Sequence, residues 1–413
     1  MVSKENSEKK EVIMQILPAL NLGGVERGTV DIAKELKKQG IEPIVMSNGG
    51  VLTYQLKEAK ITHIKLAVHS KNPLRIFSNI KKIEDVIKKH QVTLVHVRSR
   101  APMWSAYFAC KRTKTKLVTT IHGFYSLQFL FWKRFTLKFF YNALMLKADA
   151  IIAVSEVVKK YIAQNYSKNE IPTWSSKLSL VNNYCLSKKD IQSKITVIHR
   201  GVDLNSFNIG KISKNRIIDL MTKWGLPEDK KIIMLPARLT SWKGHEFLLD
   251  ALANVKNDFF CIFVGSEYGH RSYAKRLENK IIQMGLSNRV KLVGQCNEMG
   301  VAYALANIVV SASTRPEAFG RVAIEAQATS RIIVATEIGG SLETIIDGKT
   351  GFLVNYKNSA KMAETIDKLL LLPQEELLTI EKEARLHVEQ NFSNEKMYLE
   401  TIALYKKLLS KKS

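Results

Sequence analysis

The sequence predicts an α/β chain built from two doubly wound parallel sheets. Three observations predict it. Short apolar runs alternate with segments of helical periodicity along most of the chain. That alternation runs its course once and then begins again after about residue 210. The 413 residues are 46% hydrophobic and 24% charged, enough to fill two globular cores. Apolar strands separated by helices argue for parallel pairing, because a sheet covered on both faces has no polar side to alternate with.

The elements follow in order. "VIMQIL" (12–17) reads as a strand, and the glycine pair Gly23-Gly24 follows it. "VERGTVDIAKELKKQG" then places apolar residues at helical spacing and stops on Gly40. "IEPIVMS", "THIKLAV", "TLVHVRS", "KLVTTIH", "AIIAVSE" and "ITVIHRG" are the further strands of the first half. The second half repeats the order with "KIIMLPA", "FFCIFVG", "VKLVG", "IVVSAS", "RIIVAT" and "GFLV". Helical patterns such as "GHEFLLDALANV" and "SYAKRLENKIIQMG" stand between them. The predicted division is 1–207 for the first domain and 208–390 for the second, with the break in the polar stretch "GVDLNSFNIGKISKN". Residues 391–413 read as a helix capped by Ser393 that packs back on the first domain. Residues 166–194 fit neither pattern and read as an insertion or long loop.

Charge is uneven. The net charge is +25. Up to Gly210 there are 34 Lys and Arg against 15 Asp and Glu, a surplus of 19; beyond it there are 29 against 23, a surplus of 6. A basic first half implies an anionic partner: nucleic acid, an acidic membrane surface or an acidic substrate. Zinc-finger, RNP and homeodomain motifs are absent from the sequence, so nucleic acid is not the reading taken. Cys110, Cys185, Cys261 and Cys296 stand far apart with no C-x-x-C, as expected of reduced thiols. The polar start "MVSKENSEKKEV" has no signal-peptide core, and no run of about 18 apolar residues suggests a membrane span. The expected location is the cytoplasm.

Three constellations fall at strand ends. In "LNLGGVERGT" (20–29), two glycines open a helix, where backbone N–H groups and the helix dipole suit an anion or a sugar hydroxyl. An ordinary strand-to-helix turn reads the same way. In "ARLTSWKGHEFLLDAL" (237–252), Arg238 and Lys243 bracket a turn, and a planar fork plus a point charge suit a diphosphate. Two solvated loop cations are the plainer account. In "RPEAFGRVAIEAQA" (315–328), Glu317 precedes a helix started by Phe319-Gly320, and Glu325 lies about 8 Å further along its axis. Gly339-Gly340 supplies another backbone turn behind it, and Glu343 reads as structural.

This order, a glycine-pair loop, then Arg and Lys, then E-x7-E with a glycine pair behind, resembles the retaining glycosyltransferases of family 4. The resemblance covers nearly the whole chain. "RPEAFGRVAIEAQA" looks like the family's E-x7-E signature, and "RLTSWKG" like its Arg…Lys diphosphate site. "GGVE" resembles its first-domain loop near the donor phosphates and acceptor, and "IHG" (121–123) the strand end whose histidine faces the transferred sugar. The wording is similar to bacterial lipopolysaccharide-core and capsule enzymes.

The resemblance implies the GT-B fold, two Rossmann-like domains facing across a cleft. It implies a nucleotide-sugar donor, and a glycan or lipid-linked anionic acceptor of the bacterial envelope. It implies roles too. Arg238 and Lys243, with Gly23 and Gly24, hold the donor diphosphate. Glu325 holds the ribose. Glu317, with the backbone of Phe319 and Gly320, holds the donor sugar, and His122 lies beside the reacting centre. Transfer proceeds with retention, a hexosyl group being the expected cargo. The chain has no D-x-D, so no metal and no cofactor is expected. Two departures stand out: Ser330 and Ile332 replace the usual Gly and Pro of the turn after the signature helix, and His199-Arg200 replaces Pro-Asn before Gly201.

Other readings remain beside this one. Glu317 and Glu325 could be the acid and base of a glycoside hydrolase, whose carboxylates stand about 5 to 9.5 Å apart. A sugar-nucleotide epimerase on the same fold is another. The aromatic and basic stretch 124–147 can form an amphipathic helix on an anionic membrane surface, placing the protein peripherally on the inner face of the cytoplasmic membrane. A core helix with a solvated basic face fits that stretch as well.

Overall fold

The computed structural model describes residues 11–21, 23–124, 141–166, 185–267 and 269–410. The chain divides into two compact units, Met1–Ile198 with Tyr398–Ser413, and His199–Met397.

Among the described residues the first unit carries seven strands: β1 (Val12–Ile16), β2 (Glu42–Ser47), β3 (Thr62–Lys65), β4 (Leu94–Val97), β5 (Lys116–Ile121), β6 (Ala150–Ala153) and β7 (Ile195–Val197). They pair in parallel in the order β3-β2-β1-β4-β5-β6-β7. Every residue of β1 and β4 is buried, which is why these strands read as unbroken apolar runs. The helix Gly24–Lys38 follows β1 and turns Val30, Ile32, Ala33 and Leu36 inward. Burying each larger aliphatic side chain contributes roughly 1.5–3 kcal/mol. The helix stops where Gly40 takes φ +78.

The C-terminal helix Asn394–Ser410 begins with Ser393 Oγ accepting from the Lys396 N–H. Tyr405 is fully buried, with its hydroxyl 2.5 Å from His96 Nδ1 on β4; His96 Nε2 is 2.7 Å from Thr120 Oγ1 on β5. Tyr398 donates to Asp31 Oδ2 at 2.9 Å. Hydrogen bonds between buried partners tie this helix to the first sheet, where leaving one partner unmatched would be costly.

The second unit carries β8 (Ile232–Pro236), β9 (Phe260–Val264), β10 (Val290–Gly294), β11 (Ile308–Ser311), β12 (Ile332–Thr336) and β13 (Phe352–Val354). Their order is β10-β9-β8-β11-β12-β13, all parallel. One apolar layer lies on each face. Leu248, Leu252, Phe263 and Ile366 belong to one, Trp224, Met234, Tyr303 and Ile333 to the other.

The units divide between Ile198 and His199, ahead of the polar stretch 201–215 where composition suggests the break. Backbone pairing accounts for this. The Val202 N–H donates to the Phe392 carbonyl at 2.9 Å, and the Asn394 N–H to the Val202 carbonyl at 3.1 Å. Residues 199–203 are thereby laid along 392–394 within the second unit, whatever their polarity.

Candidate active site

In a doubly wound sheet, ligands meet the carboxyl ends of the strands where the strand order reverses. In the second unit that point lies between β8 and β11. The loops following them are 237–244 and 312–320. They are bound together: the Thr314 N–H donates to the Trp242 carbonyl at 2.8 Å. Gly244 has φ +76, and a Cβ there would overlap the Ala312 carbonyl, so only glycine fits.

Lys243 ends the short turn Ser241–Lys243, and its Nζ is 2.7 Å from Glu317 Oε1. Both side chains are largely buried, 13% and 14% exposed. Ser313 Oγ donates to the same carboxylate oxygen, and Lys243 also lies 4.5 Å from the Trp242 ring centroid. Two predicted residues, 74 positions apart, therefore meet directly. Arg238 is exposed, and among the described residues its guanidinium enters no ion pair.

Glu317 pairs across a β-bridge with Gly339, and its carbonyl accepts from the Gly340 N–H at 2.8 Å. Gly340 lies so close that a Cβ would overlap the Phe319 backbone. Gly320, at φ +75, caps the helix Arg321–Ala328. Glu325 is the fifth residue of that helix. Arg321 Nη2 donates to its Oε1 at 2.7 Å, and the Tyr303 hydroxyl to its Oε2 at 2.9 Å. Burial holds the Tyr303 hydroxyl well above its ordinary pKa, and the neighbouring Glu325 raises it further. The two carboxylates are thus engaged separately, Glu317 by a cation from the β8 loop and Glu325 by its own helix and a buried tyrosine.

His245, just behind Lys243, is fully buried edge-on to Phe263 and Tyr273. Burial lowers its pKa to about 4, the Lys243 charge pushes it the same way, and the carbonyls of Ala237 and Thr240 partly oppose the shift.

In the first unit the corresponding reversal lies between β1 and β4. Gly23 caps the helix Gly24–Lys38, and the Glu26 side chain folds back over it, where a Cβ on Gly23 would overlap the carboxylate. A carboxylate thus lies at the helix end that the sequence assigns to an anion, where the dipole favours negative charge. Arg98, directly after β4, is buried; it donates to Gln15 Oε1 at 3.3 Å and lies in the field of Glu26 and Asp31. His122 follows the last residue of β5 and is half-buried. These residues lie in the first unit, the E-x7-E and Arg…Lys groups in the second.

Sequence reasoning missed Tyr303, Ser313, Arg98 and Arg321. Arg321 was readable as an i,i+4 partner of Glu325. The others reach their partners through the fold, and no local spacing announces them. Of the stretch 124–147, residues 125–140 lie outside the described residues, as do 167–184 of the insertion. Among the described residues no group of three His, Cys, Asp or Glu converges, and no helix is long and apolar enough to cross a membrane.

The family described as "Glycosyl transferases group 1" matches residues 217–387, and "Glycosyltransferase Family 4" matches residues 22–175. The chain is 37% identical to a glycosyltransferase from Rickettsia africae ESF-5 of solved structure, over 98% of this chain and 100% of that one, with TM-score 0.83. It is 32% identical over 180 residues to D-inositol 3-phosphate glycosyltransferase of Mycolicibacterium smegmatis, covering 43% of this chain and 40% of that one. The chain thus spans less than half the length of the curated relatives of this description. The fold is also that of Anabaena Alr3699/HepE, solved in complex with UDP and glucose: TM-score 0.75, 22% identity, 96% and 100% coverage.

Proposed function

The chain belongs to glycosyltransferase family 4, and from that membership we propose that it moves a hexosyl group from a nucleotide sugar to a glycan or lipid-linked anionic acceptor of the bacterial envelope, with retention at the anomeric carbon. The observation that carries this reading is the Lys243–Glu317 pair between the β8 and β11 loops, with the Gly339-Gly340 turn against the Glu317–Phe319 backbone. A diphosphate competes with Glu317 for Lys243, and exposed Arg238 adds a planar fork. The carboxylate so released can accept hydroxyls of the attached sugar. Glu325, inside the helix that follows the loop, serves the ribose. Charge developing on the leaving diphosphate is met by both cations, the usual large term in such transfers. His122 serves the reacting centre, and Gly23 and Gly24 the donor diphosphate, with Glu26 moving aside as the phosphate approaches the helix end. The surplus of 19 positive charges up to Gly210 supports an anionic acceptor and work at the inner face of the cytoplasmic membrane. The reading includes no metal and no cofactor, the nucleotide sugar being substrate.

A thermal-shift screen with UDP, GDP, ADP and their sugars tests the reading. One nucleotide class should raise the midpoint by several degrees, since ligand at about 100-fold over Kd adds about 2.7 kcal/mol. Glu325→Ala should weaken that ligand in calorimetry. No shift with any nucleotide sugar ends the proposal.

A further inference from the structure

We infer that His199, the residue at which the chain enters the second unit, positions the sugar-binding loop 316–320 through Glu343. This rests on the reading of Glu317 and the Phe319 backbone as the donor-sugar side of the site.

His199 Nε2 is 3.0 Å from Glu343 Oε2. A carboxylate only accepts, so the imidazole carries its proton on Nε2. The same imidazole is stacked on Phe319, with centroids 5.6 Å apart and planes at 28°, and meets Phe392 edge-on at 5.4 Å. Phe319 also meets Phe392 edge-on at 5.7 Å and is 3% exposed. Its backbone is fixed from the other side by Gly340, which has no room for a Cβ. Gly340 leads directly into the short helix Ser341–Thr344, and that helix carries Glu343. A closed circuit results: the His199 ring holds the Phe319 ring, the Phe319 backbone packs on Gly340, and Glu343 returns to His199. His199 is itself anchored three residues on, where Val202 donates its N–H to the Phe392 carbonyl and accepts from the Asn394 N–H. Two amides that are to meet sugar hydroxyls need fixed direction, and this circuit holds Phe319, the residue before Gly320, by both its ring and its backbone. His199 touches no reacting atom in this account. Its contribution is to the sugar half of the donor, whereas Arg238 and Lys243 serve the diphosphate.

The test compares calorimetric Kd values for UDP, GDP and ADP with those for UDP-glucose, GDP-glucose and ADP-glucose. His199→Phe keeps an aromatic ring and removes the donor to Glu343. It should weaken the glucose conjugate by about tenfold, the worth of one charge-assisted hydrogen bond, and leave the bare diphosphate within about twofold. Glu343→Ala should do the same, and the double variant should lose no more than either single one. His199→Gln, which can donate again, should recover part of the loss. Equal weakening of both ligands, or of neither, overturns the inference. Glu317→Gln separates the two levels. If it costs sugar discrimination while His199→Phe does not, only the role of His199 falls. If Glu317→Gln costs none, or if no nucleotide binds at all, the underlying reading falls and this inference with it.

Discussion

A lysine and a glutamate that neutralise each other make a strong prediction at the scale of single residues. Lys243 and Glu317 are 2.7 Å apart and mostly out of water. Removing one member leaves the other charge poorly compensated. The two removals should nonetheless act on the ligand in opposite directions. Lys243→Ala deletes a cation that a diphosphate needs, so UDP-type ligands should bind at least about tenfold more weakly, and kcat/KM should fall by about 10²–10³. Glu317→Gln frees the lysine, so the bare diphosphate should bind as well as before or better. Calorimetry on both variants checks the pattern, and a weakened diphosphate in Glu317→Gln would contradict it. The order of motifs made Lys243, Glu317 and Gly339-Gly340 legible in the sequence. Their direct contact was not legible, since it joins residues 74 apart that only the sheet topology places side by side. Tyr303 reads as one more apolar position of a core helix until its hydroxyl is seen on Glu325.

At the scale of elements, each strand expected from an apolar run is present among the described residues, but most are shorter. "THIKLAV" pairs only over Thr62–Lys65, because its sole neighbour β2 ends at Ser47, which takes a last hydrogen bond from the Leu66 N–H. Strand existence follows from hydrophobic pattern, whereas strand length follows from the partner. The signature helix Arg321–Ala328 shows the same dependence at its ends. It starts on Gly320 at φ +75, a position glycine adopts freely. It is followed by Ser330 at φ +52, which donates its N–H to the Gln327 carbonyl in the turn that leads to β12. The sequence flagged Ser330 as a departure from glycine, and the left-handed backbone gives the physical reason glycine suits that turn. A residue with a Cβ pays about 1–2 kcal/mol there, and glycine returns roughly half of the gain as unfolded-state entropy. Ser330→Gly should therefore stabilise the second unit by about 0.5–1 kcal/mol in urea unfolding without altering nucleotide affinity. A destabilised variant would show that the serine side chain makes up for its backbone.

At the scale of the whole molecule, each unit buries one histidine that cannot easily take a proton. His96 sits inside the first sheet between Tyr405 and Thr120, and burial, aided by the charge of Arg98, holds its pKa well below the ordinary value. His245 does the same in the second unit, at about 4. The sign follows from linkage. The unfolded chain protonates these imidazoles near pH 6.5, the folded units do not, so stability is full above that pH and is lost as pH falls. For His245 the loss runs from about pH 6.5 to its folded value, roughly 2 kcal/mol by pH 5 and 3 by pH 4. Because the chain holds two compact units, a single melting point would blend their responses. Hydrogen exchange of the core strands reads each unit separately. Between pH 7 and 5, after correction for intrinsic exchange rates, opening free energies of β8 and β9 should fall by about that amount, and those of β1 and β4 should fall as well. His245→Phe keeps an aromatic ring against Phe263 and removes the titration. It should flatten the pH dependence of β8 and β9 while leaving that of β1 and β4 unchanged. An equal fall in both units of the variant would place the acid sensitivity elsewhere than in His245.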